Sequence, residues 1–324
     1  MGIGRRYEGN TSQWTAFPYT AEPVRVLEDA KHCQPGDYPY RLSNHDEFFT
    51  RQSLPHIWID QLCINQSDIQ ERADQVAIMD QIFSKAERTL VWLGEPGSEL
   101  EPAWGDSISL SDLQAIMEAS YWRRHWIVQE VLLSKSPLCL YGHHYIDAFP
   151  LLKSLLMYYD GLENLDRVCD LLGAKLSLGS YSTLQDLSAM SQYMDDIVTI
   201  CQYSQCENPL DIIYGIQGTL HLLQRVAVDY TISPRDLFLL AAQKWFTLSS
   251  KESGLYWLGY LADGMSLLAP DRALEEVSGV NVMQKFDLFC AEHGLSGNKW
   301  DVMKELTEEQ LRIFLDLYLL GPAP

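Results

Sequence analysis

His56-Ile57-Trp58-Ile59-Asp60 is a short β-branched and aromatic run ending in an acid, and Thr89-Leu90-Val91-Trp92-Leu93-Gly94 is a second one closed by a glycine. Both read as buried strands, since short apolar runs bounded by turn residues are the pattern of strands covered on both faces. Between them Ser67 and Asp68 stand where a helix cap is wanted, with Gln70 and Glu71 placed to return the capping-box bond. Ala73, Val76, Met79, Phe83 and Ala86 then recur every three or four residues, which predicts an amphipathic helix of about five turns. Strand, capped helix and strand in about 40 residues is the length of a βαβ crossover, so the two strands are expected to be parallel. The fold class that follows is α/β, an open, mainly parallel sheet with flanking helices.

Working outward, Glu95 to Ser109 reads as a loop, and Asp112 starts a helical stretch leading into Tyr121-Trp122-Arg123-Arg124-His125-Trp126-Ile127-Val128-Gln129-Glu130-Val131. Helical spacing puts Trp122, Trp126 and Glu130 on one face there. Pro137-Leu138-Cys139-Leu140-Tyr141-Gly142 followed by Tyr145-Ile146 suggests a closing hairpin with His143 and His144 at its turn. Residues 22–148 thus form the α/β domain, after an irregular segment 1–21. Residues 1–52 are rich in Pro, Gly, Tyr and polar residues, with Val24-Arg25-Val26-Leu27 the one strand-like fragment. From Phe149 the pattern turns helical, over Leu151–Tyr159, Leu162–Leu178, Leu184–Tyr203, Leu210–Leu223, Pro234–Phe246 and Asp301–Leu320. Residues 149–324 read as a mainly helical C-terminal region. Ser233-Pro234 supplies a cap and first-turn proline for the helix carrying Leu237, Leu240, Ala241 and Trp245.

Composition narrows the function classes. With 324 residues, 47% of them hydrophobic, the chain can bury a substantial core. Lys plus Arg number 24 against 44 Asp plus Glu, and the net charge of −20 argues against nucleic acid as a partner. Seven cysteines, an odd number with no CxxC pair, argue against a disulfide framework or a zinc ribbon. The adjacent His143 and His144 point to opposite faces of a strand, the wrong geometry for one metal. No apolar segment follows Arg5-Arg6, Arg6 stands where a myristoylation motif wants Ser or Thr, and no run of about 18 apolar residues occurs. The expectation is a cytoplasmic protein with no membrane span, whose cysteines are small buried hydrophobes. The usual hydrolase, NTPase and dinucleotide fingerprints (GxSxG, GxxxxGK[ST], GxGxxG) are absent.

Trp58-Ile59-Asp60-Gln61-Leu62-Cys63-Ile64-Asn65-Gln66, then Glu71-Arg72 with Gln75-Val76 and Met79, then Val91-Trp92-Leu93-Gly94, resemble in order the blocks of the fungal heterokaryon incompatibility (HET) domain. Tyr121 to Glu130 resembles that family's closing series of tryptophan, arginine, tryptophan and Gln-Glu. Pro209-Leu210-Asp211-Ile212-Ile213-Tyr214-Gly215-Ile216 and Val228-Asp229-Tyr230 resemble the stretches that follow the domain. The family's opening block, roughly Leu-Ser-Tyr-x-Trp-Gly, has no counterpart in residues 1–52. The resemblance implies self/non-self recognition in fungi, a form of innate immunity in which fusion of incompatible hyphae triggers programmed cell death. It also implies a TIR-like or flavodoxin-like sheet. Some TIR domains hydrolyse NAD, so NAD or a related nucleotide is an implied substrate, without any resident cofactor. The alternative is a non-enzymatic module that works through protein partners or self-assembly, or a degenerate copy.

Asp60 is the best-placed carboxylate, because ligands of open α/β sheets bind outside the carboxyl ends of the strands; it serves equally as a turn residue. Glu130, among tryptophans, suits a general acid or base if its surroundings raise its pKa, or an ion pair with Arg123 or Arg124. Glu71 is a third candidate catalytic acid, with helix capping as the alternative. Asn65 and Gln66 offer amides to a ribose or base, or form the turn before the cap. Arg123 and Arg124 suit a phosphate clamp, and Trp126 completes the candidate ligand-binding set. Cys63 reads as a core cysteine rather than a nucleophile.

Overall fold

The structure is a computed structural model that describes residues 57–94, 110–141, 144–147, 168, 171, 197, 200–201, 204–246, 253–268 and 279–321. The strand-like fragment Val24–Leu27, the Glu95–Ser109 loop, His143, the helix expected over Leu151–Tyr159 and most of Leu162–Leu178 and Leu184–Tyr203 lie outside the described residues.

The elements before the sheet are α1 (Asp60–Cys63), α2 (Ile69–Val76) and α3 (Met79–Lys85), and β1 is Thr89–Trp92. Then come α4 (Leu110–Glu118), a 3-10 turn (Ser120–Arg123), α5 (Ile127–Leu132), β2 (Pro137–Tyr141) and β3 (His144–Asp147). The sheet order is β1-β2-β3, with β1 parallel to β2 and β2 antiparallel to β3. Leu90 lies opposite Leu138 and Val91 opposite Cys139, and the ladder runs on through Leu93 N–H to Leu140 O at 2.8 Å. Every residue of β2 is buried, as a central strand with cover on both faces requires. Gly94 ends β1 with φ +106°, a conformation that side chains disfavour. The hairpin of β2 and β3 matches the sequence expectation, although His144 sits in the strand itself.

Among the described residues the fold is therefore mixed α and β, mostly helical, with one parallel strand pair. It departs from the expected open sheet at its first strand. Residues 57–59 are in no strand, and Asp60 opens a helical turn closed by Ile64 N–H to Asp60 O at 3.0 Å. Ile59 is extended in backbone (φ −135°, ψ 123°) but has no ladder neighbour among the described residues, and Ile57 is exposed. The parallel crossover consequently joins β1 to β2 through α4 and α5, one step later in the chain than the sequence suggests. The expected five-turn helix is two helices, broken at Ala77 and Ile78. Asp68 caps α2 through the Gln70 and Glu71 amides, both 3.0 Å. Glu71 does not return the capping-box bond; its carboxylate reaches back to Asn65 N–H at 3.0 Å.

The C-terminal elements are α6 (Asp211–Gln217), a 3-10 turn (Leu222–Gln224), α7 (Pro234–Phe246), α8 (Ser253–Gly264), α9 (Gly279–Glu292), α10 (Lys299–Glu305), α11 (Glu308–Ile313) and a π-helical turn (Phe314–Leu319). Helix α7 has the expected bounds, and Ser233 Oγ accepts Asp236 N–H at 3.1 Å. Leu237, Ala241 and Trp245 are buried on it, whereas Leu240 is exposed. The expected helix over Asp301–Leu320 is interrupted at Leu306-Thr307, where Thr307 and Gln310 form a capping box. Helices α8 and α9 were not anticipated: Gly254, Gly259 and Gly279 dilute their helical pattern.

One buried cluster runs through the molecule, from Val91, Ile116, Trp122 and Val128 to Ile213, Leu237, Trp257, Phe286 and Phe314. Trp122 is fully buried in it, its indole N–H donating to Ile116 O at 2.8 Å, while Trp58, Trp92 and Trp126 are half-buried. Cys139 is buried; Cys63, Cys201, Cys206 and Cys290 are half-buried free thiols.

Candidate functional site

The chain breaks its helical course between Ser120 and Ile127, and that break builds the site. The 3-10 turn ends at Arg124, which is extended (φ −69°, ψ 140°) and forms a lone parallel bridge with Gln205. Helix α5 starts three residues later, so Trp122, Trp126 and Glu130 do not share a continuous helix. The turn instead folds Tyr121 and Arg124 back onto Glu130. Tyr121 Oη donates to Glu130 Oε2 at 3.0 Å, and an Arg124 guanidinium nitrogen lies 3.4 Å from Glu130 Oε1. The Glu130 side chain is 12% exposed and that of Arg124 47%, so the acid is sunk behind a cation that faces solvent.

Burial pushes the Glu130 carboxyl above its ordinary range, against the attraction of Arg124; the negative charge of Asp60 pushes it further up, and the Tyr121 hydroxyl opposes the rise. Asp60 is thus near enough for its charge to act on Glu130, and it acts on Arg124 and Cys63 as well. One of the three expected catalytic acids thus pairs with one of the two expected arginines, and the charge of a second acid, Asp60, is felt by both. Burial raises the Tyr121 phenol well above its ordinary value, so this hydroxyl donates and does not ionise. The same cause raises Cys63, whose sulfur accepts Ile59 N–H at 3.5 Å, and a protonated thiol is a poor nucleophile.

The remaining candidates are occupied locally. Asp60 Oδ1 also accepts Gln61 N–H at 2.8 Å. Asn65 Oδ1 accepts from the Ser67 hydroxyl at 2.7 Å and its amide at 3.3 Å, the turn role left open by the sequence. Gln66 Nε2 donates to Asp60 O at 3.3 Å, and Glu71 holds Asn65. Arg123 uses its carbonyl to accept Gln205 N–H at 2.6 Å. The Trp126 indole donates to Asp211 Oδ2 at 3.2 Å.

That last bond opens a second cluster, which sequence reasoning missed. Asp211 Oδ1 accepts Tyr230 Oη at 2.7 Å, and the Arg72 guanidinium carbon stands 3.8 Å from the centre of the Tyr230 ring. Burial raises the Asp211 carboxyl against those two donors and the Arg72 charge. Beside it Cys206 is pushed up to about 12 by burial and by Asp211. Asp211 and Tyr230 both lie in stretches the sequence singled out by resemblance, but a single chain gives no spacing rule that pairs Trp126 with Asp211 across 85 positions. Among the described residues no group of His, Cys, Asp and Glu could hold a metal.

Helix α6 packs on α5 in close contact. His125 Nε2 is 3.1 Å from Ile212 O, and Gln129 Nε2 donates to Tyr214 O at 2.7 Å. A Cβ on Gly215 would overlap the His125 ring, and one on Gly218 would overlap the Gln129 amide. Arg225 ties the same segment to α3, pairing with Asp80 at 2.7 Å while donating to Gly218 O and Leu220 O.

Residues 39–109 match the family model described as heterokaryon incompatibility protein (HET). The chain is 44% identical over 64 residues to "Heterokaryon incompatibility protein 6, OR allele" of Neurospora crassa, a stretch that is 20% of this chain and 8% of that relative. No solved structure gives a significant match. The family match includes Asp60, Asn65, Gln66, Glu71 and Arg72 and ends before Tyr121, Arg124 and Glu130. The matched segment is similar to a heterokaryon incompatibility (HET) domain, and the chain covers only a small part of the length of that relative.

Proposed function

We propose that the protein is an effector of fungal self/non-self recognition and programmed cell death that cleaves NAD or a related nucleotide at the Glu130 site. One observation supports the reading: the sunken acid Glu130 is paired with the solvent-facing Arg124, and its carboxyl is raised by burial and by the charge of Asp60. For NAD the bond broken is the one from ribose C1′ to the nicotinamide nitrogen. The leaving nicotinamide takes the electron pair and departs neutral, water bonds to C1′, and the surplus proton passes to a carboxylate. Glu130 suits the proton transfer, since a carboxyl raised toward neutral pH works best as acid or base there. The Asp60 charge stabilises the positive character that develops at C1′, and Arg124 offers its guanidinium fork to a phosphate.

The recognition role rests on the HET match and on the name of the Neurospora crassa relative. No helix among the described residues is long and apolar enough to cross a membrane, and the proposed setting is the cytoplasm. Nicotinamide release from NAD by the purified protein, at high concentration with a crowding agent, tests the reading. Release by the wild type that disappears in folded Glu130→Gln and Asp60→Asn variants supports it. No release from folded wild type overturns the enzymatic part and leaves a module that signals by self-assembly.

A further inference from the structure

We propose that residues 205–230 are a positioning element for the Glu130 site, with Asp211, Gly215 and Gly218 as its working residues. The inference rests on the site described above but not on the reaction assigned to it.

Gln205 N–H donates to Arg123 O at 2.6 Å and His125 N–H donates to Gln205 O at 3.0 Å, so the Arg124 backbone is pinned on both sides by one residue of the distant segment. Trp126 is held by Asp211, the His125 ring by Ile212 O and the Gln129 amide by Tyr214 O. Positions 123, 125, 126 and 129 are thus all bonded to the stretch 205–214, while Arg124 and Glu130, set among them, bond to each other. The 3.4 Å spacing of that pair depends on a chain direction fixed from outside α5.

The glycines make this reach possible. The two segments approach so closely that a methyl group on Gly215 would meet the His125 imidazole and one on Gly218 the end of the Gln129 side chain, so either would force that side chain to shift. Asp211 supplies the directional part: its carboxylate joins the Trp126 indole to the Tyr230 hydroxyl, and Tyr230 carries the Arg72 guanidinium of α2 on its ring. A small shift of α6 is therefore passed to Trp126 and along one helical turn to Glu130, because packed side chains shift together rather than deform singly.

The test uses the full chain, labelled with carbon-13 at the glutamate side-chain carboxyls, and follows the Glu130 resonance by NMR as a function of pH. Glu130→Gln identifies the resonance. Asp211→Asn and Gly218→Ala are expected to displace the Glu130 midpoint by about half a pH unit or more. Arg235→Ala, which breaks the distant ion pair with Asp316, is expected to cost stability and leave the midpoint in place. If either site-side variant fails to fold, Tyr230→Phe removes one donor from Asp211 with little change in packing and is expected to move the midpoint in its stead. An unmoved Glu130 midpoint in the folded variants overturns the proposal, as does an equal movement in Arg235→Ala. The titration needs no turnover, so a protein that releases no nicotinamide still answers it.

Discussion

Glu130 and Asp211 are two sunken carboxylates with nearly the same retinue, a tyrosine hydroxyl and an arginine, yet the arginines are used in opposite ways. At Glu130 the guanidinium pairs with the acid and faces solvent. At Asp211 it lies on the tyrosine ring, and the acid is satisfied by the neutral donors Trp126 and Tyr230. The first arrangement keeps a charge where an anion can meet it. The second joins three parts of the chain, and the comparison teaches that a raised carboxyl by itself does not distinguish a reactive acid from a latch.

The comparison breaks most visibly in turnover. Glu130→Gln is expected to lower nicotinamide release by a factor of about 10² to 10⁴, the usual contribution of a positioned acid or base, with an almost unchanged melting temperature. Asp211→Ala is expected to act first on stability, costing about 3 kcal/mol in urea unfolding because two donors lose their acceptor. A melting-temperature loss in Glu130→Gln as large as in Asp211→Ala would make both sites structural.

The sequence made one of these two sites readable. Asp60 and Glu130 stood out because a carboxylate after an apolar run, or among tryptophans, is a local pattern. That Glu130 pairs with Arg124 and accepts from Tyr121 is a tertiary fact the pattern only suggested. Asp211 stands at a helix start in Leu210-Asp211-Ile212, a local pattern that points to no partner, and its partners Tyr230 and Trp126 are 19 and 85 positions away. The fold was legible in the same measure. β1, the β2–β3 hairpin and α7 follow from alternation, turn residues and caps. The run at Ile57–Ile59 has strand composition, but a strand is made by its neighbour, and composition does not say whether one is there.

Titration sharpens the comparison further. Both carboxyls are raised in the folded state, so the native protein holds protons that the unfolded chain has released, and stability falls as pH climbs from the ordinary carboxylate range through the raised values. Below the ordinary range both states are protonated and the effect vanishes. Urea midpoints measured from pH 4 to 8 should show the decline, and Glu130→Gln should make it shallower. Tyr121→Phe removes a donor that favours the ionised acid and should move the Glu130 titration still higher, at a cost of about 1 kcal/mol in stability. The smallest effect is expected at Arg124→Gln: a half-exposed ion pair contributes up to about 1 kcal/mol, so stability should hardly change while nucleotide affinity falls.

The Trp126–Asp211 bond also sets a clock. Its partners are 85 residues apart, and a ribosome adding about 5 to 20 residues each second needs roughly 4 to 17 s to pass from one to the other. During that interval the HET-matched segment has already been made, but the stretch that holds Arg124 and Glu130 in register has not. A nascent chain of this protein carries the residues of the site before it can carry the site.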